Sequence, residues 1–324
     1  MNIIVDPNGP RLCDVASSPI PQGAKVSYMK TSDNVRLRYA LWRPVNGGDK
    51  GTVCLVHGRT EFIEKYFETI DDFLKRGFAV ATFDWRGQGG SDRLIKNKKL
   101  GYVDQFDDYL LDLQSFYDEI LMPDCPPPYY LVGHSMGGLV ALMSGARDRL
   151  MFDRMFLSAP MVEVKGQLIS MAGMANVADA ICYVGLGKMA ASSNSNFMTS
   201  DKKFAGNNLT SDYTRYMKSV DIFNSSPDLE ILAPTFRWAA SAFRAMAYVE
   251  SDDFPKKVNV PVLMLAAARD EVVSSAAIEH LGLSMRVGRH AVIGAARHEL
   301  FMENDDIRAQ VFAAFDAFVT EQTK

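Results

Sequence analysis

Short β-type runs alternate with longer segments of helical periodicity along most of this chain, and this alternation constrains its fold more than any other feature. The clearest runs are residues 52–56, 78–83, 129–132, 155–157, 260–265 and 291–293. Such alternation predicts βαβ units, and hence a mostly parallel central sheet flanked by helices. The runs 26–30 and 35–42 predict an antiparallel pair that precedes the parallel part.

The alternation stops between Pro160 and Pro255, where the composition shifts towards Met, Ala, Ser and Asn. We expect residues 160–255 to form an inserted helical cap, and residues 1–159 with 256–324 to form one α/β core domain. The 324 residues suffice for one large domain with such an insertion.

Charge and cysteine usage exclude several classes of function. The net charge is −4 and the pI is about 5.8, so we expect no nucleic-acid partner. The four cysteines form no C-x-x-C pair, which argues against a structural zinc site and favours a reduced, cytoplasmic protein. Residues 1–7 lack the features of a secretion signal, and no run of about 20 apolar residues predicts a transmembrane segment.

Residues 133–137 read Gly-His-Ser-Met-Gly and match the pattern G-x-S-x-G. The match lies between an apolar strand and a predicted helix, which is the context of a nucleophile elbow. There the glycines allow a strained turn that exposes the serine. We therefore predict Ser135 as a catalytic nucleophile. The alternative is a glycine-rich turn whose serine only caps the helix.

A serine hydroxyl needs a histidine base to become nucleophilic. On this fold the acid and then the histidine follow the serine in chain order, each after a strand. His298 follows the run 291–293 and is our candidate for the base. The other four histidines are poorer candidates because they adjoin the serine, precede a strand or lie in a helix or an early loop; they are His57, His134, His280 and His290.

Asp270 follows the run 260–265 and is our candidate for the acid that orients His298. Glu271 is the main alternative, whereas Asp252 and Asp253 are expected to lie on the surface. The tetrahedral intermediate also needs backbone N–H donors. We expect these from Met136, directly after the serine, and from Arg59, after the first core strand.

The side chain of Arg59 is a separate question. It could bind a substrate phosphate, but an ion pair with Glu61 or another carboxylate is the interpretation we favour.

These motifs together resemble the α/β-hydrolase superfamily, and within it the bacterial lysophospholipase and monoacylglycerol lipase group. The matching segments are His57-Gly58-Arg59-Thr60-Glu61, Lys65-Tyr66, Asp84 with Arg86-Gly87-Gln88-Gly89 and Ser91, residues 133–138, Arg269-Asp270-Glu271-Val272-Val273 and Arg297-His298-Glu299-Leu300. The resemblance covers residues 51–145 and 259–319 well and the cap poorly.

The resemblance implies an α/β-hydrolase fold and a serine hydrolase that cleaves carboxylic esters of single-chain lipids through an acyl-enzyme. It implies no metal or organic cofactor. A small-ester carboxylesterase and an aminopeptidase-like hydrolase are the alternatives on the same fold, and a non-catalytic binding protein is a distant third.

The predicted cap contains a stretch that is apolar on more than one face. Met171, Met174 and Ile181 within it are our candidates for binding the acyl chain, because flexible thioethers accommodate variable chains. These residues could equally pack the cap onto the core. Any contact with a membrane is expected to be peripheral and to involve the cap.

Overall fold

The computed structural model describes residues 9–44, 47–48, 50–147, 151–192 and 204–320. The strands are β1 (Lys25–Lys30), β2 (Arg36–Trp42), β3 (Thr52–Val56), β4 (Ala79–Phe83), β5 (Leu100–Gly101), β6 (Tyr129–His134), β7 (Arg154–Ser158), β8 (Ala233–Pro234), β9 (Val262–Ala267) and β10 (Gly288–Ile293). The α-helices are α1 (Phe67–Lys75), α2 (Asp107–Phe116), α3 (Met122–Asp124), α4 (Met136–Arg147), α5 (Met171–Ile181), α6 (Tyr213–Ser225), α7 (Phe236–Val249), α8 (Phe254–Lys257), α9 (Ser275–Ser284) and α10 (Asp305–Thr320). Single 3₁₀ turns cover Ile63–Tyr66, Pro227–Leu229 and Leu300–Met302, and π-helical turns cover Tyr117–Leu121 and Cys182–Leu186.

Eight strands form one sheet in the order β1-β2-β4-β3-β6-β7-β9-β10. The contacts of β2 with β1 and with β4 are antiparallel, and all the others are parallel. This confirms the predicted antiparallel lead-in and mostly parallel core. Every residue of β3, β4 and β7 is buried, because helices cover both faces of a parallel sheet.

The carboxyl ends of β3, β6 and β9 lie at the same edge of the sheet, because these strands run parallel. In this register Val56 at the end of β3 lies beside Gly133 of β6, just before the serine of the elbow. The loops that leave this edge can therefore bring residues distant in sequence to one place, as open α/β sheets do.

Residues 160–255 contribute α5, α6, β8, α7 and α8, so this region is mostly helical. Helix α5 packs on α7. Met171 of α5 and Trp238 of α7 belong to the main hydrophobic core. Helix α6 contributes to a second apolar cluster that includes Phe62. The division into a core domain and a cap stays a prediction. Of those predicted ranges, residues 1–8, 45–46, 49, 148–150, 193–203 and 321–324 lie outside the described residues.

Helix α2 begins with i→i+3 hydrogen bonds from the N–H groups of Asp108 and Tyr109 to the carbonyls of Gln105 and Phe106. Strand bounds differ from the prediction, most of all in β10. Strand β10, expected over 291–293, begins at Gly288, which pairs with Val262 of β9. Among the residues that the structure describes, no helix is both long enough and apolar enough to span a membrane.

Candidate active site

Ser135 lies in the sharp turn between β6 and α4. Its φ angle of 50° is in the left-handed region, where a residue with a side chain is strained. The turn is held by the N–H of Ser135, which donates to Ser158 O at 3.0 Å, and by the N–H of Leu139, which donates to Ser135 O at 3.1 Å. The neighbouring strand and the first turn of the helix thus hold Ser135 in its strained conformation.

The glycines of the elbow are required by close approach of the backbone. A Cβ atom at Gly137 would lie 2.6 Å from Val56 O and 2.7 Å from His57 O. A Cβ at Gly133 would lie 3.0 Å from the amide nitrogen of Gly138. The elbow can therefore pack against the end of β3 only with hydrogen in place of a side chain.

The structure brings the three predicted residues Ser135, His298 and Asp270 together. The Nε2 atom of His298 lies 3.0 Å from Ser135 Oγ, and its Nδ1 atom lies 2.8 Å from Asp270 Oδ2. The other carboxylate oxygen of Asp270 accepts hydrogen bonds from the N–H groups of Val272 at 2.8 Å and Val273 at 2.9 Å. The aspartate is thereby fixed in position and can hold the imidazole with Nε2 towards the serine.

The charges of His298 and Asp270 stabilise each other. Burial lowers the pKa of His298, but the charge and hydrogen bond of Asp270, with smaller contributions from Glu299 and Glu61, raise it above its ordinary value. Burial raises the pKa of Asp270, but this is outweighed by His298 and by the backbone N–H groups of Val273 and Val272, which donate to the carboxylate. The pKa of Asp270 therefore lies below its ordinary value. Asp270 is therefore a carboxylate at neutral pH and stabilises a protonated His298.

The alternative candidates lie away from the site or are held by other groups. Glu271, Asp252, Asp253 and His280 are exposed, and His290 lies in β10. His57 contacts the carbonyl of Gly58, and its Nε2 lies 3.5 Å from Asp84 Oδ1. His134 is bound to the backbone of Ser158, and burial lowers its pKa to about 4.

The two predicted oxyanion donors flank the serine. Met136 is the first residue of α4, so its N–H has no hydrogen-bond acceptor within the helix. Arg59 lies in the loop after β3, and that loop touches the serine: a Cβ at Gly58 would lie 3.2 Å from Ser135 Cβ. Glu61 shapes the loop, because its Oε2 accepts from the N–H of Gly58 at 2.5 Å and from Tyr66 Oη at 2.8 Å.

A buried ionic cluster joins this loop to the loop that carries His298. The Nζ atom of Lys65 lies 2.7 Å from Glu61 Oε1 and 2.6 Å from Glu299 Oε1. Burial lowers the pKa of Lys65, but the two carboxylates outweigh this and raise it. The spacing of Glu61 and Lys65 is the one sequence signal for this cluster. The pairing with Glu299 has no local signal, because it joins residues 234 positions apart.

The side chain of Arg59 is buried and lies over the Trp238 ring, with 5.3 Å from Cζ to the ring centroid. Burial lowers its pKa to about 9, and Tyr109 nearby acts in the opposite direction. The carboxylate of Glu61, the ion-pair partner we favoured for Arg59, is bound to Lys65.

A small pocket opens at Ser135. Its lining residues are Gly58, Arg59, Thr60, Glu61, Phe62, Lys65, His134, Ser135, Ser219, Phe223, His298 and Glu299. Met171, Met174 and Ile181 are not among them. Met171 is buried in the main core, whereas Met174 and Ile181 are partly exposed on α5.

Comparisons with known proteins agree with this architecture. The family model described as "Serine aminopeptidase, S33" (Hydrolase_4) matches residues 47–305. Lysophospholipase L2 of Escherichia coli K12 is 28% identical over 304 residues, which cover 88% of this chain and 84% of that protein. Human monoglyceride lipase is 24% identical over 304 residues, 91% of this chain and 90% of that protein.

Among solved structures, a soluble variant of monoglyceride lipase from Saccharomyces cerevisiae superposes with a TM-score of 0.72 at 18% identity. The superposition covers 92% of this chain and 96% of that one. At this identity the likeness shows the fold alone, and it confirms the predicted α/β-hydrolase fold.

Proposed function

This chain belongs to the hydrolase family described as serine aminopeptidase, S33, and from that membership we propose that it is a serine hydrolase that cleaves carboxylic esters of single-chain lipids. The substrate class is a lysophospholipid or a monoacylglycerol. The observation that carries the proposal is the continuous chain of contacts from Ser135 Oγ through the His298 ring to Asp270, with distances of 3.0 and 2.8 Å.

In the proposed reaction, His298 Nε2 removes the proton from Ser135 Oγ as the oxygen attacks the ester carbonyl carbon. Asp270 holds the imidazole in place and stabilises its protonated form. Collapse of the tetrahedral intermediate breaks the bond to the alcohol, which takes its proton from His298. Water, deprotonated by the same histidine, then attacks the acyl-enzyme. The bond between the acyl group and Ser135 Oγ breaks, the fatty acid leaves, and His298 returns the proton to Ser135 Oγ.

The negative charge of both tetrahedral intermediates develops on the former carbonyl oxygen. We propose that the N–H groups of Met136 and Arg59 donate to it, and each such donor accelerates the reaction by roughly 10²–10³. The rigid support of the Arg59 loop by Glu61 favours this role, because such donors stabilise the transition state best when they do not need to reorganise.

The lipid ester preference is supported by the names of the relatives, lysophospholipase L2 and monoglyceride lipase. The family name, serine aminopeptidase, favours a second candidate, the hydrolysis of N-terminal peptide amides. An activity towards small esters alone is the remaining alternative.

Purified wild type and Ser135→Ala test the proposal with a monoacylglycerol, a lysophosphatidylcholine, a short-chain ester and an aminoacyl anilide. We expect wild type to hydrolyse the lipid esters with the highest kcat/KM and Ser135→Ala to lose at least about 10⁴ of that activity. Hydrolysis of the anilide alone would replace our proposal with the amide candidate. Circular dichroism of both proteins controls for folding.

We further propose that residues 160–255 form a helical cap whose exposed apolar residues contact a lipid surface. Between positions 168 and 189 large apolar side chains are exposed at Leu168, Ile169, Val177, Tyr183, Val184, Leu186 and Met189. A patch of this kind is typical of an interaction site, and the proposed substrates reside in lipid phases. The free thiols of all four cysteines support our proposal that the protein acts in the cytoplasm.

Co-sedimentation with phosphatidylcholine vesicles tests the lipid contact. We expect the double variant Tyr183→Ser and Val184→Ser to bind at least several-fold less than wild type. Leu283→Ser is the matched control, because that side chain is 76% exposed on α9, outside the proposed cap. Equal binding of all three proteins would contradict the proposed contact.

A further inference from the structure

Glu299 is a buried carboxylate that the proposed reaction does not use. It directly follows His298 and lines the same pocket as Ser135. The residue is only 5% exposed. Its Oε1 atom lies 2.6 Å from Lys65 Nζ, and its backbone N–H donates to Leu209 O at 2.8 Å. One half of the carboxylate is therefore fixed, and the position of the residue is set by two other segments of the chain.

The other half of the carboxylate is unsatisfied. The Oε2 atom of Glu299 has no hydrogen-bond partner among the residues that the structure describes. A buried polar atom without a partner destabilises a protein, so native proteins leave few of them without a functional reason. Because Glu299 lines the pocket, a ligand bound there can supply the missing hydrogen bond to this oxygen.

The pocket that Glu299 lines contains a group of polar side chains next to the catalytic histidine. In ester cleavage the protonated His298 must reach the oxygen of the leaving alcohol, so that alcohol binds beside the imidazole. Glu299 directly follows His298, and Glu61 and Lys65, to which it is joined, line the same pocket. A polar alcohol fits these side chains better than an acyl chain does.

We propose that Glu299 is a specificity-determining residue whose Oε2 binds a hydroxyl group of the leaving alcohol, so that the enzyme prefers esters of hydroxylated alcohols such as glycerol. This inference rests on the proposed ester hydrolysis and deepens it. Monoacylglycerols and lysophospholipids both carry a free hydroxyl next to the ester, and this shared group is the ligand.

A hydroxyl suits this site better than a phosphate does. Glu61 and Glu299 share the single ammonium of Lys65, so the surroundings of Oε2 repel an anion. Burial raises the pKa of Glu299, whereas the charge and hydrogen bond of Lys65 act in the opposite direction. A hydroxyl can donate to the carboxylate.

The first experiment compares matched soluble esters with wild-type enzyme. Glycerol 1-monobutyrate is paired with propyl butyrate, and 1-butyryl-glycerophosphocholine with its 2-deoxy analogue. We expect kcat/KM to be at least about tenfold higher for the hydroxylated member of a pair, as for hydrogen bonds to charged groups. A preference in only one pair identifies the natural source of the hydroxyl and supports the proposal.

Variants then assign the preference to Glu299. In Glu299→Gln we expect the ratio within a pair to fall several-fold, because a neutral amide forms a weaker hydrogen bond than a carboxylate. In Glu299→Leu we expect a ratio near one. Should Glu299→Leu fail to fold, the result for Glu299→Gln decides.

Glu303→Gln is the matched control, because this carboxylate is equally buried but binds Ser211 and the backbone of Arg297 outside the pocket lining. We expect the ratio of kcat/KM within each pair of esters to be the same in Glu303→Gln as in wild type. Equal kcat/KM within both pairs for wild type, or an unchanged ratio in Glu299→Gln, would overturn this inference and leave ester hydrolysis intact. Failure of wild type to cleave any of the four esters would overturn the proposed function and this inference together.

Discussion

Asp270 contacts no substrate in the proposed reaction and acts through His298. Asparagine has the shape of aspartate but no negative charge. Its amide presents either an N–H or a neutral oxygen to His298 Nδ1. Both destabilise the protonated imidazole and the tautomer whose Nε2 can accept the serine proton. We therefore expect Asp270→Asn to lower kcat by about 10⁴. Steady-state hydrolysis of a monoacylglycerol measures this. An Asp270→Asn enzyme within tenfold of wild type would show that another acid holds the histidine.

The raised pKa of His298 predicts the pH dependence of the reaction. Only the neutral imidazole can accept the serine proton, so activity is lost as the pH falls through the pKa of His298. Because Asp270 raises that pKa above its ordinary value of 6.5, we expect the acid limb of kcat/KM to have its midpoint above pH 6.5. A midpoint below 6.5, in a protein that stays folded over the range, would contradict this assignment of charges.

Single residues differ in how far the sequence reveals them. Ser135, Asp270 and His298 could be predicted because each follows a recognisable strand, and the structure brings them within hydrogen-bonding distance. The role of Lys65 in pairing with Glu299 could not be predicted, because a lysine and a glutamate far apart in sequence look like ordinary surface residues. Their burial results from packing between loops and has no local sequence signal.

At the scale of elements, the loop after β3 and the loop after β10 depend on the ion pairs of Lys65. Removing one partner of a buried ion pair leaves the others buried without compensation, which costs about 3–5 kcal/mol. We expect Lys65→Met to lower the free energy of unfolding by this amount and to reduce kcat, because both loops border the site. Urea denaturation measures the change.

Lys75→Met is the matched control for Lys65→Met. Lys75 forms an ion pair of the same i,i+4 spacing with Asp71, but both side chains are largely exposed, at 70% and 46%. Such surface pairs contribute about 0–1 kcal/mol. A loss for Lys65→Met that is no larger than the loss for Lys75→Met would show that the buried cluster does not support the two loops.

The contact between the elbow and β3 predicts the effect of a single methyl group. In Gly137→Ala the new Cβ would lie 2.6 Å from Val56 O, so the backbone must shift. We expect a loss of about 1–3 kcal/mol in the free energy of unfolding. Gly173→Ala is the control, because its Cβ would meet no heavy atom closer than 3.4 Å and alanine favours a helix. Equal stability of both variants would contradict the close approach.

The boundaries of elements were less predictable than their existence. The polar start of β10, Gly288-Arg289-His290, has no strand pattern of its own. It is a strand because β9 supplies hydrogen-bonding partners at the edge of the sheet. The two-residue pair of β5 and β8 likewise forms through contacts between residues 100–101 and 233–234, which no local pattern indicates.

For the whole molecule, the alternation of strands and helices was enough to predict a mostly parallel sheet flanked by helices, and the resemblance of the motifs implied the α/β-hydrolase fold. The path of residues 160–255 was not predictable, because tertiary contacts hold it. Phe223 packs on Phe62 with ring centroids 5.0 Å apart, and Trp238 Nε1 donates to Tyr109 Oη at 3.0 Å. These partners are separated by more than 120 positions, so periodicity alone gives no information about them.

The central claim of this account is that the fold makes the hydroxyl of Ser135 reactive. A fluorophosphonate probe followed by peptide mass spectrometry tests this most directly, because the probe modifies a serine only where a base activates it. We predict one adduct, on Ser135, in the folded wild type, and none in urea-unfolded protein or in a folded His298→Ala variant. Folded wild type without an adduct on Ser135, or with equal labelling of His298→Ala, would contradict the claim.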